Sequence, residues 1–154
     1  DTLDIYDGVN RQFYDANYAA YRQQVIDLAP EILGQFASIP EARRKLITYH
    51  DSFAHFARRF EFEVSGFVVA VPGDQPAAGE IDRLAQVVRD QGIPAVFAEY
   101  GYDSAPMQEI ASKTGVPVCT LYSDVLGGEV DTYIEMMRAN AAEIVRCLGG
   151  AATP

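Results

Sequence analysis

One of the two histidines, His50, stands where an apolar run ends and an amphipathic stretch begins, in "KLITYHDSFAHFARRF" at residues 45–60. A neutral imidazole is the commonest protein ligand for transition metals. The alternative is that Asp51 or Ser52 caps the helix that follows and that His50 only precedes it. A metal-binding role therefore requires that His50 has partners elsewhere in the chain.

Acidic residues follow all four short apolar runs of the chain. They are Asp51, Asp74, Glu99, Asp103, Asp124, Glu129 and Asp131. Helix N-caps and loops favour aspartate, so such residues are common at these positions without any function. His50 together with Asp124 makes a mixed nitrogen–oxygen pair that suits zinc, manganese or iron. Because zinc usually has three or four protein ligands, this pair is half of a site. The other histidine, His55, is expected to face the sheet or solvent along its helix.

The four apolar runs predict four β-strands, at residues 45–49, 64–71, 94–100 and 116–122. Amphipathic patterns predict helices at roughly 52–60, 78–91, 104–114 and 131–148. Gly92 and Gly115 stand where helix C-caps belong, each shortly before the next strand. Apolar strands that alternate with helices are typical of a parallel sheet covered on both faces. Ligands bind beyond the carboxyl ends of such strands, so the strand exits should form the site.

A long helix is predicted ahead of the sheet, from about residue 9 to residue 37. Its apolar and aromatic residues recur at three- and four-residue spacing, and they are Phe13, Tyr14, Tyr18, Tyr21, Val25, Leu28, Ile32 and Phe36. Pro30 is expected to kink or restart this helix, and "SIPEARR" to close it. The fold class is therefore α/β: a four-stranded, doubly wound parallel sheet with helices on both faces, preceded by a long N-terminal helix. The terminal "GGAATP" is expected to fray.

Composition is that of one globular domain. The chain has 154 residues, 49% of them hydrophobic and 22% charged, and a formal net charge of −10. Nucleic-acid binding is disfavoured, because the chain is acidic and no basic stripe occurs. No apolar stretch approaches the roughly 20 residues that span a bilayer. The chain begins at Asp1 without a signal peptide, and we expect it to be a processed or excised piece of something longer.

Common catalytic and redox motifs are absent from the sequence. It contains no GxSxG, GxxxxGK[ST] or HExxH pattern. Cys119 and Cys147 are too far apart for a CxxC pair, and the sequence leaves open a disulfide or two buried thiols. A metal-dependent α/β hydrolase that uses His50 and Asp124 is the main alternative to a binding protein. An acidic receiver-like domain is weakly supported, since Lys113 precedes the last strand instead of ending it.

Three segments resemble, in order and spacing, the C-terminal lobe of metal-binding solute-binding proteins, the extracytoplasmic receptors of zinc and manganese ABC importers. They are "LITYHDSFAHFARRFEFEV", "AVFAEYGYDSAPMQEIASKTGVPV" and "LYSDVLGGEVDTYIEMMRANAAEIVRCL". "YDANYAAYRQQVIDL" is also similar to the segment after the family's long inter-lobe helix. The resemblance implies that residues 1–154 form one lobe, with a helical lead-in at 1–40 and an α/β core at 41–150. It also implies that the N-terminal lobe is absent.

The resemblance implies metal binding without catalysis. His50, in "HDSF", and Asp124, in "YSDVLGGEVD", match ligands of the metal, whereas Glu99, in "FAEYGYD", matches an acid that supports them. The family's other two histidines lie in the N-terminal lobe, so this lobe alone should hold zinc, manganese or iron weakly. The implied partners are that lobe and an ABC permease. The implied location is the periplasm, or the outside of a bacterial membrane as an anchored lipoprotein.

The resemblance bears on the cysteines as well. Some zinc-uptake members have a disulfide that involves a cysteine on the last helix, and Cys147 matches that position. Its usual partner lies on the third strand, whereas Cys119 lies on the fourth predicted strand of this chain. A disulfide between Cys119 and Cys147 and a pair of buried thiols therefore both stay open. If formed, the bond would close a loop of roughly 30 residues and contribute about 3–4 kcal/mol in the entropic account.

Overall fold

Alternating strands and helices follow a helical N-terminal region. The structure, a computed structural model, describes residues 2–149 apart from the side chain of Asp4. The strands are β1 (Lys45–His50), β2 (Glu63–Val69), β3 (Val96–Glu99) and β4 (Val118–Leu121). The helices are α1 (Thr2–Tyr6), α2 (Arg11–Phe36), α3 (Ala54–Phe60), α4 (Glu80–Gln91), α5 (Ala105–Thr114) and α6 (Tyr133–Cys147). Short 3-10 turns occupy Gly8–Asn10 and Glu41–Arg43. All four predicted strands and the predicted helices are confirmed, with shifts of a few residues at their ends.

The strands form one parallel sheet in the order β2-β1-β3-β4. From β1 the chain first adds β2 on one side and then β3 and β4 on the other. The winding direction therefore reverses between β1 and β3, and the crevice at such a reversal is the usual ligand site of an open α/β sheet. His50 ends β1 and Glu99 ends β3, so both residues lie at this point.

Two apolar clusters cover the two faces of the sheet, as expected for strands buried on both sides. One cluster joins α2, α3 and α6 to Leu46, Phe97 and Leu121 of the sheet. The other joins α4 and α5 to Ile47 and Val96. Because side chains alternate along a strand, His50 shares the face of Leu46, and Glu99 shares the face of Phe97. Both polar side chains therefore belong to the face that α6 covers.

The long helix α2 runs without a break through Pro30, so of the two predicted outcomes, a kink or a restart, the restart is wrong. Proline removes one helical N–H bond, but Leu28, Ile32 and Phe36 bury this end of the helix in the core on both sides of it. The preceding half differs, since Phe13 is 71% exposed. The regular spacing predicted the helix correctly, but it did not show which turns have a packing partner.

The C-termini of α4 and α5 agree with the sequence signals, whereas α3 begins after Phe53 without a side-chain cap, so neither Asp51 nor Ser52 caps it. Gly92 and Gly115 cap α4 and α5 with φ angles of 62° and 80°, in the left-handed region that glycine favours.

None of the helices between residues 2 and 149 has the length and apolar character to cross a bilayer. The predicted fraying at "GGAATP" lies outside the described residues apart from Gly149.

Candidate metal centre

Glu99 holds the backbone at the exit of β1. The pairing of Thr48 with Phe97 brings His50, two residues further on, beside Glu99. The His50 backbone N–H donates to Glu99 Oε1 at 2.9 Å, and the Ser52 hydroxyl donates to Glu99 Oε2 at 3.3 Å. The His50 carbonyl oxygen accepts from the Ser52 N–H and from the Thr48 hydroxyl, both at 2.9 Å. The last residue of β1 is thus held through both its backbone N–H and its carbonyl oxygen.

The His50 ring lies between two carboxylates. Its side chain is 7% exposed, with Nδ1 2.9 Å from Glu99 Oε2 and Nε2 3.2 Å from Asp124 Oδ2. The contact at Nδ1 is an ion-pair distance, but no described residue meets this buried nitrogen at a hydrogen-bonding angle. The other ring nitrogen, Nε2, faces Asp124 at the open edge of the sheet, and the Asp124 side chain is 53% exposed. The imidazole nitrogen Nε2 and the Asp124 carboxylate are both groups that bind transition metal ions.

Asp124 lies in the loop between β4 and α6, three residues after β4 ends. The loop begins at Tyr122, whose backbone N–H donates to Asn140 Oδ1 and whose carbonyl accepts from Asn140 Nδ2, both at 2.8 Å. The loop ends at Thr132, which forms a reciprocal capping box with Glu135. Sequence reasoning missed Asn140, although a lone amide on the buried face of an apolar helix was the available signal.

Tyr102 completes the surroundings of Asp124, and sequence reasoning missed this residue too. Its hydroxyl donates to Asp124 Oδ2 at 3.0 Å. Its ring stacks on that of Tyr49, with centroids 5.5 Å apart, and meets the His50 ring edge-on at the same distance. The hydrogen bond to Asp124 is the main reason that the pKa of the Tyr102 hydroxyl is raised above its usual value. Nothing local in "EYGYD" marked this tyrosine, since only the fold brings it to Asp124.

The other candidate acids are not brought into this group. Asp51, Asp74, Glu129 and Asp131 are exposed. Asp103 accepts the Ala105 N–H at 2.9 Å and serves the start of α5, as the capping interpretation predicts. His55 is exposed, and its Nδ1 lies 3.0 Å from Arg58 Nη2. Of the sequence-predicted site residues, the structure therefore brings together His50, Glu99 and Asp124.

Cys119 and Cys147 are joined in a disulfide that ties β4 to α6. Within residues 2–149, the one group of three or more potential ligands with mutually close atoms is Cys119, Glu143 and Cys147. Both sulfurs are used in the disulfide and offer no thiolate, so this group is not a metal site. The sequence alone had not decided between a disulfide and two buried thiols, and the structure has the disulfide.

The geometry of His50 and Asp124 fits a metal ion. Two ligand atoms on one tetrahedral zinc ion lie about 3.4 Å apart, given bond lengths of about 2.1 Å. The 3.2 Å between His50 Nε2 and Asp124 Oδ2 is close to this separation. A cavity of about 140 Å³ adjoins Asp124 and is lined also by Ser52 and Asn140. A larger, mostly apolar cavity of about 370 Å³ includes His55 but none of the residues of the pair.

Comparisons with known proteins agree on one family. The family model described as ZnuA, zinc-uptake complex component A periplasmic, matches residues 1–147. A manganese-binding lipoprotein, MntA of Halalkalibacterium halodurans, is 28% identical over 138 residues, which are 87% of this chain and 46% of that protein. The zinc-binding protein TroA of Treponema pallidum is also 28% identical, over 92% of this chain and 48% of its own length.

Solved structures show the same fold. The periplasmic zinc binding protein TroA from Treponema pallidum superimposes with a TM-score of 0.87 at 26% identity, covering 96% of this chain and 56% of that one. The chain thus spans about half the length of the relatives that it matches. The four-stranded parallel arrangement with a leading helix is therefore confirmed as the fold.

Proposed function

The chain belongs to the family of periplasmic zinc-uptake components, and on this premise we propose that it captures a divalent transition metal ion for import by an ABC transporter. Zinc and manganese are the ions named for its relatives. The transport role is that of a binding protein, which binds and releases its ion and transforms no substrate. These relatives lend no support to the hydrolase alternative.

We propose His50 and Asp124 as the metal ligands of this chain, with the ion as cargo. The observation that carries this assignment is the 3.2 Å approach of His50 Nε2 to Asp124 Oδ2 at the edge of the sheet. A metal ion there would be held by the imidazole nitrogen and the carboxylate oxygen together, and it needs the imidazole in its unprotonated form. We propose that Glu99 supports this ligand from the other side of the ring, because it accepts the His50 backbone N–H and lies 2.9 Å from Nδ1.

Two ligands leave a zinc ion with at least one position for another protein group. We therefore propose that this chain is the C-terminal lobe of a two-lobe receptor whose N-terminal lobe completes the coordination. The half-length match to the curated relatives supports this reading. The lobe alone then holds its ion weakly, because water fills the remaining positions without any chelate advantage. Zinc should bind more tightly than manganese, as the stability order for divalent ions predicts.

The remaining partner and the location follow from the same family. We propose a membrane permease of the ABC type as the partner that receives the ion. The protein would act in the periplasm, or outside the membrane of a bacterium as an anchored lipoprotein. Several relatives are named lipoproteins, and the zinc binding protein TroA is named periplasmic, which supports both versions of this location.

Calorimetric titration of the 154-residue chain with zinc tests the ligand assignment. The titration is run at about pH 7.5, because protons compete with the metal ion for an imidazole ligand at lower pH. His50→Ala should remove most of the binding and Asp124→Ala a large part of it. His55→Ala is the matched control, because it removes the exposed histidine five residues away and should change nothing. Equal losses from His50→Ala and His55→Ala, or no loss from His50→Ala, would overturn the assignment.

A further inference from the structure

The loop that carries Asp124 lies against a pair of packed tyrosine rings. The rings of Tyr100 and Tyr122 have centroids 4.8 Å apart, and their planes are inclined by 30°. Tyr100 directly follows β3 and Tyr122 directly follows β4, and the Tyr100 backbone N–H donates to the Leu121 carbonyl oxygen at 2.8 Å. The tyrosine pair is therefore held at the edge of the sheet, where it can support the loop.

Gly127 is the point at which the loop meets the tyrosine pair. A Cβ atom on Gly127 would lie 2.7 Å from the Tyr100 hydroxyl oxygen and 2.8 Å from Cε1 of the same ring. Both distances are well below the optimal separation of about 3.5–4.0 Å between carbon atoms. The φ angle of Gly127 lies outside the left-handed region, so the close approach of the ring is what favours glycine here. The Gly127 carbonyl oxygen also accepts the N–H of the buried Val130 at 3.3 Å.

We propose that Tyr100 and Gly127 are positioning residues for Asp124, because the ring of Tyr100 supports the loop backbone at Gly127. Asn140 binds Tyr122, two residues before Asp124, and the contact with the ring holds the loop again three residues after Asp124. The backbone that carries the carboxylate is thus supported at both ends, while the exposed side chain can still adjust. This inference rests on the proposed metal-capture function.

A displaced loop should weaken metal binding. The methyl group of Gly127→Ala meets the Tyr100 ring, and the ring is itself packed on Tyr122, so the loop has to move outward. Asp124 then leaves the position in which its Oδ2 lies 3.2 Å from His50 Nε2. Functional groups of a binding site have to be held within about 0.5 Å of the productive geometry, so a small shift of the loop is enough.

Calorimetric zinc titration of the 154-residue chain and its variants tests this contact. Gly127→Ala adds the methyl group that meets the ring, Tyr100→Ala removes the ring, and Tyr100→Phe keeps the ring and its packing. Gly34→Ala is the matched control for the glycine change. Its added carbon would contact no described residue outside its own helix within 4 Å, and its φ angle also lies outside the left-handed region.

We expect Gly127→Ala and Tyr100→Ala each to weaken zinc binding about tenfold, the lower end of what residues that support a metal ligand contribute. Tyr100→Phe and Gly34→Ala should bind zinc as the unchanged chain does. In the double variant, Gly127→Ala should weaken binding less than about twofold beyond Tyr100→Ala, because the ring is gone and residues in contact are not additive.

Unchanged zinc affinity in Gly127→Ala or Tyr100→Ala, or additive losses in the double variant, would overturn the inference. An equal loss in Gly34→Ala, or a loss in Tyr100→Phe as large as in Tyr100→Ala, would also contradict it. His50→Ala, titrated alongside, separates this inference from the proposed function. If His50→Ala still removes binding in such a case, the proposed function stands, whereas binding that does not depend on His50 would overturn both.

Discussion

The exits of β1 and β4 each present one proposed ligand, and the chain holds the two in different ways. At β1 the ligand is the last strand residue, with its side chain 7% exposed and its backbone bonded to the buried Glu99. At β4 the last fixed residue is Tyr122, which Asn140 binds through both backbone groups. Asp124 follows two residues later, 53% exposed and held at its carboxylate by Tyr102.

Under the proposed assignment, this difference gives the pair one firmly held ligand and one adjustable ligand. A buried imidazole at the end of a strand would fix the position of a bound ion, because moving the ring would break the hydrogen bonds of its backbone. An exposed carboxylate in a loop can adjust to the ion and give it up at little cost in packing. We therefore expect changes at the β1 exit to affect folding and binding together, and changes at Asp124 to affect binding alone.

The largest expected effect on stability comes from the disulfide, which belongs to the β4 side of the comparison. Cys119 and Cys147 are 28 residues apart and enclose Asp124 but not His50. Replacing both by serine should lower the free energy of unfolding by about 3–4 kcal/mol, since the unfolded chain gains the freedom of that loop. Urea denaturation measures the loss.

Amide hydrogen exchange of the same double variant shows where the structure loosens. The backbone amides of residues 122–132 should exchange faster than in the unchanged chain. The backbone N–H of His50 should exchange faster only as far as the lower global stability of the variant requires. Equal loosening at both exits would contradict the view that they are secured independently.

Glu99→Ala should have the next largest effect. It leaves the buried N–H of His50 without its acceptor, which costs about 2–3 kcal/mol. Glu99→Gln keeps an amide oxygen for that N–H and should lose about half as much. Asp124→Ala should change stability by less than about 0.5 kcal/mol, as exposed side chains usually do. Thermal or urea denaturation of the three variants ranks them, and an Asp124 effect as large as that of Glu99 would erase the contrast between the exits.

Asn140→Ala should cost about 1–2 kcal/mol, because Tyr122 loses two hydrogen bonds but is half buried and can be reached by water. The loss should be smaller than that of Glu99→Ala, whose partner group is buried. In this variant, the rate of hydrogen exchange at the backbone amide of Tyr122 should rise more than the rate at the backbone amide of His50. The prediction fails if the His50 amide responds as strongly as the Tyr122 amide.

The smallest expected effect lies away from both exits, at the ion pair of Arg138 with Glu31. Arg138 donates to both Glu31 oxygens at 2.8 Å, and these hydrogen bonds hold the pKa of Glu31 below its usual value. A pKa that is lower in the folded chain gives stability above the unfolded pKa of about 4.3, and this stability is lost as the pH falls through the folded pKa.

Glu31→Gln should therefore cost less than about 1 kcal/mol at pH 7, because the pair is exposed. At pH 2 it should cost close to nothing. Urea denaturation at the two pH values tests this difference, and zinc affinity should not change. A larger cost at pH 2 than at pH 7 would reverse the expected sign.

Local pattern determined much of this protein. The runs around Leu46 and Phe97 predicted the strands, and the glycines at 92 and 115 marked where helices end, because chain geometry and burial on both faces act over a few residues. His50, Glu99 and Asp124 could be expected at one edge, since parallel strands present all their exits there.

Tertiary structure decided the rest. It showed that Tyr102 reaches Asp124, that Asn140 binds Tyr122, and that Pro30 does not restart its helix. It also showed the bond between Cys119 and Cys147, which the sequence had left open. Each of these depends on the distance and angle between groups far apart in sequence or on the burial that a helix obtains from the core. Hydrogen bonds and disulfides form only within a few tenths of an ångström of their proper geometry, and a pattern of residue types does not carry that information.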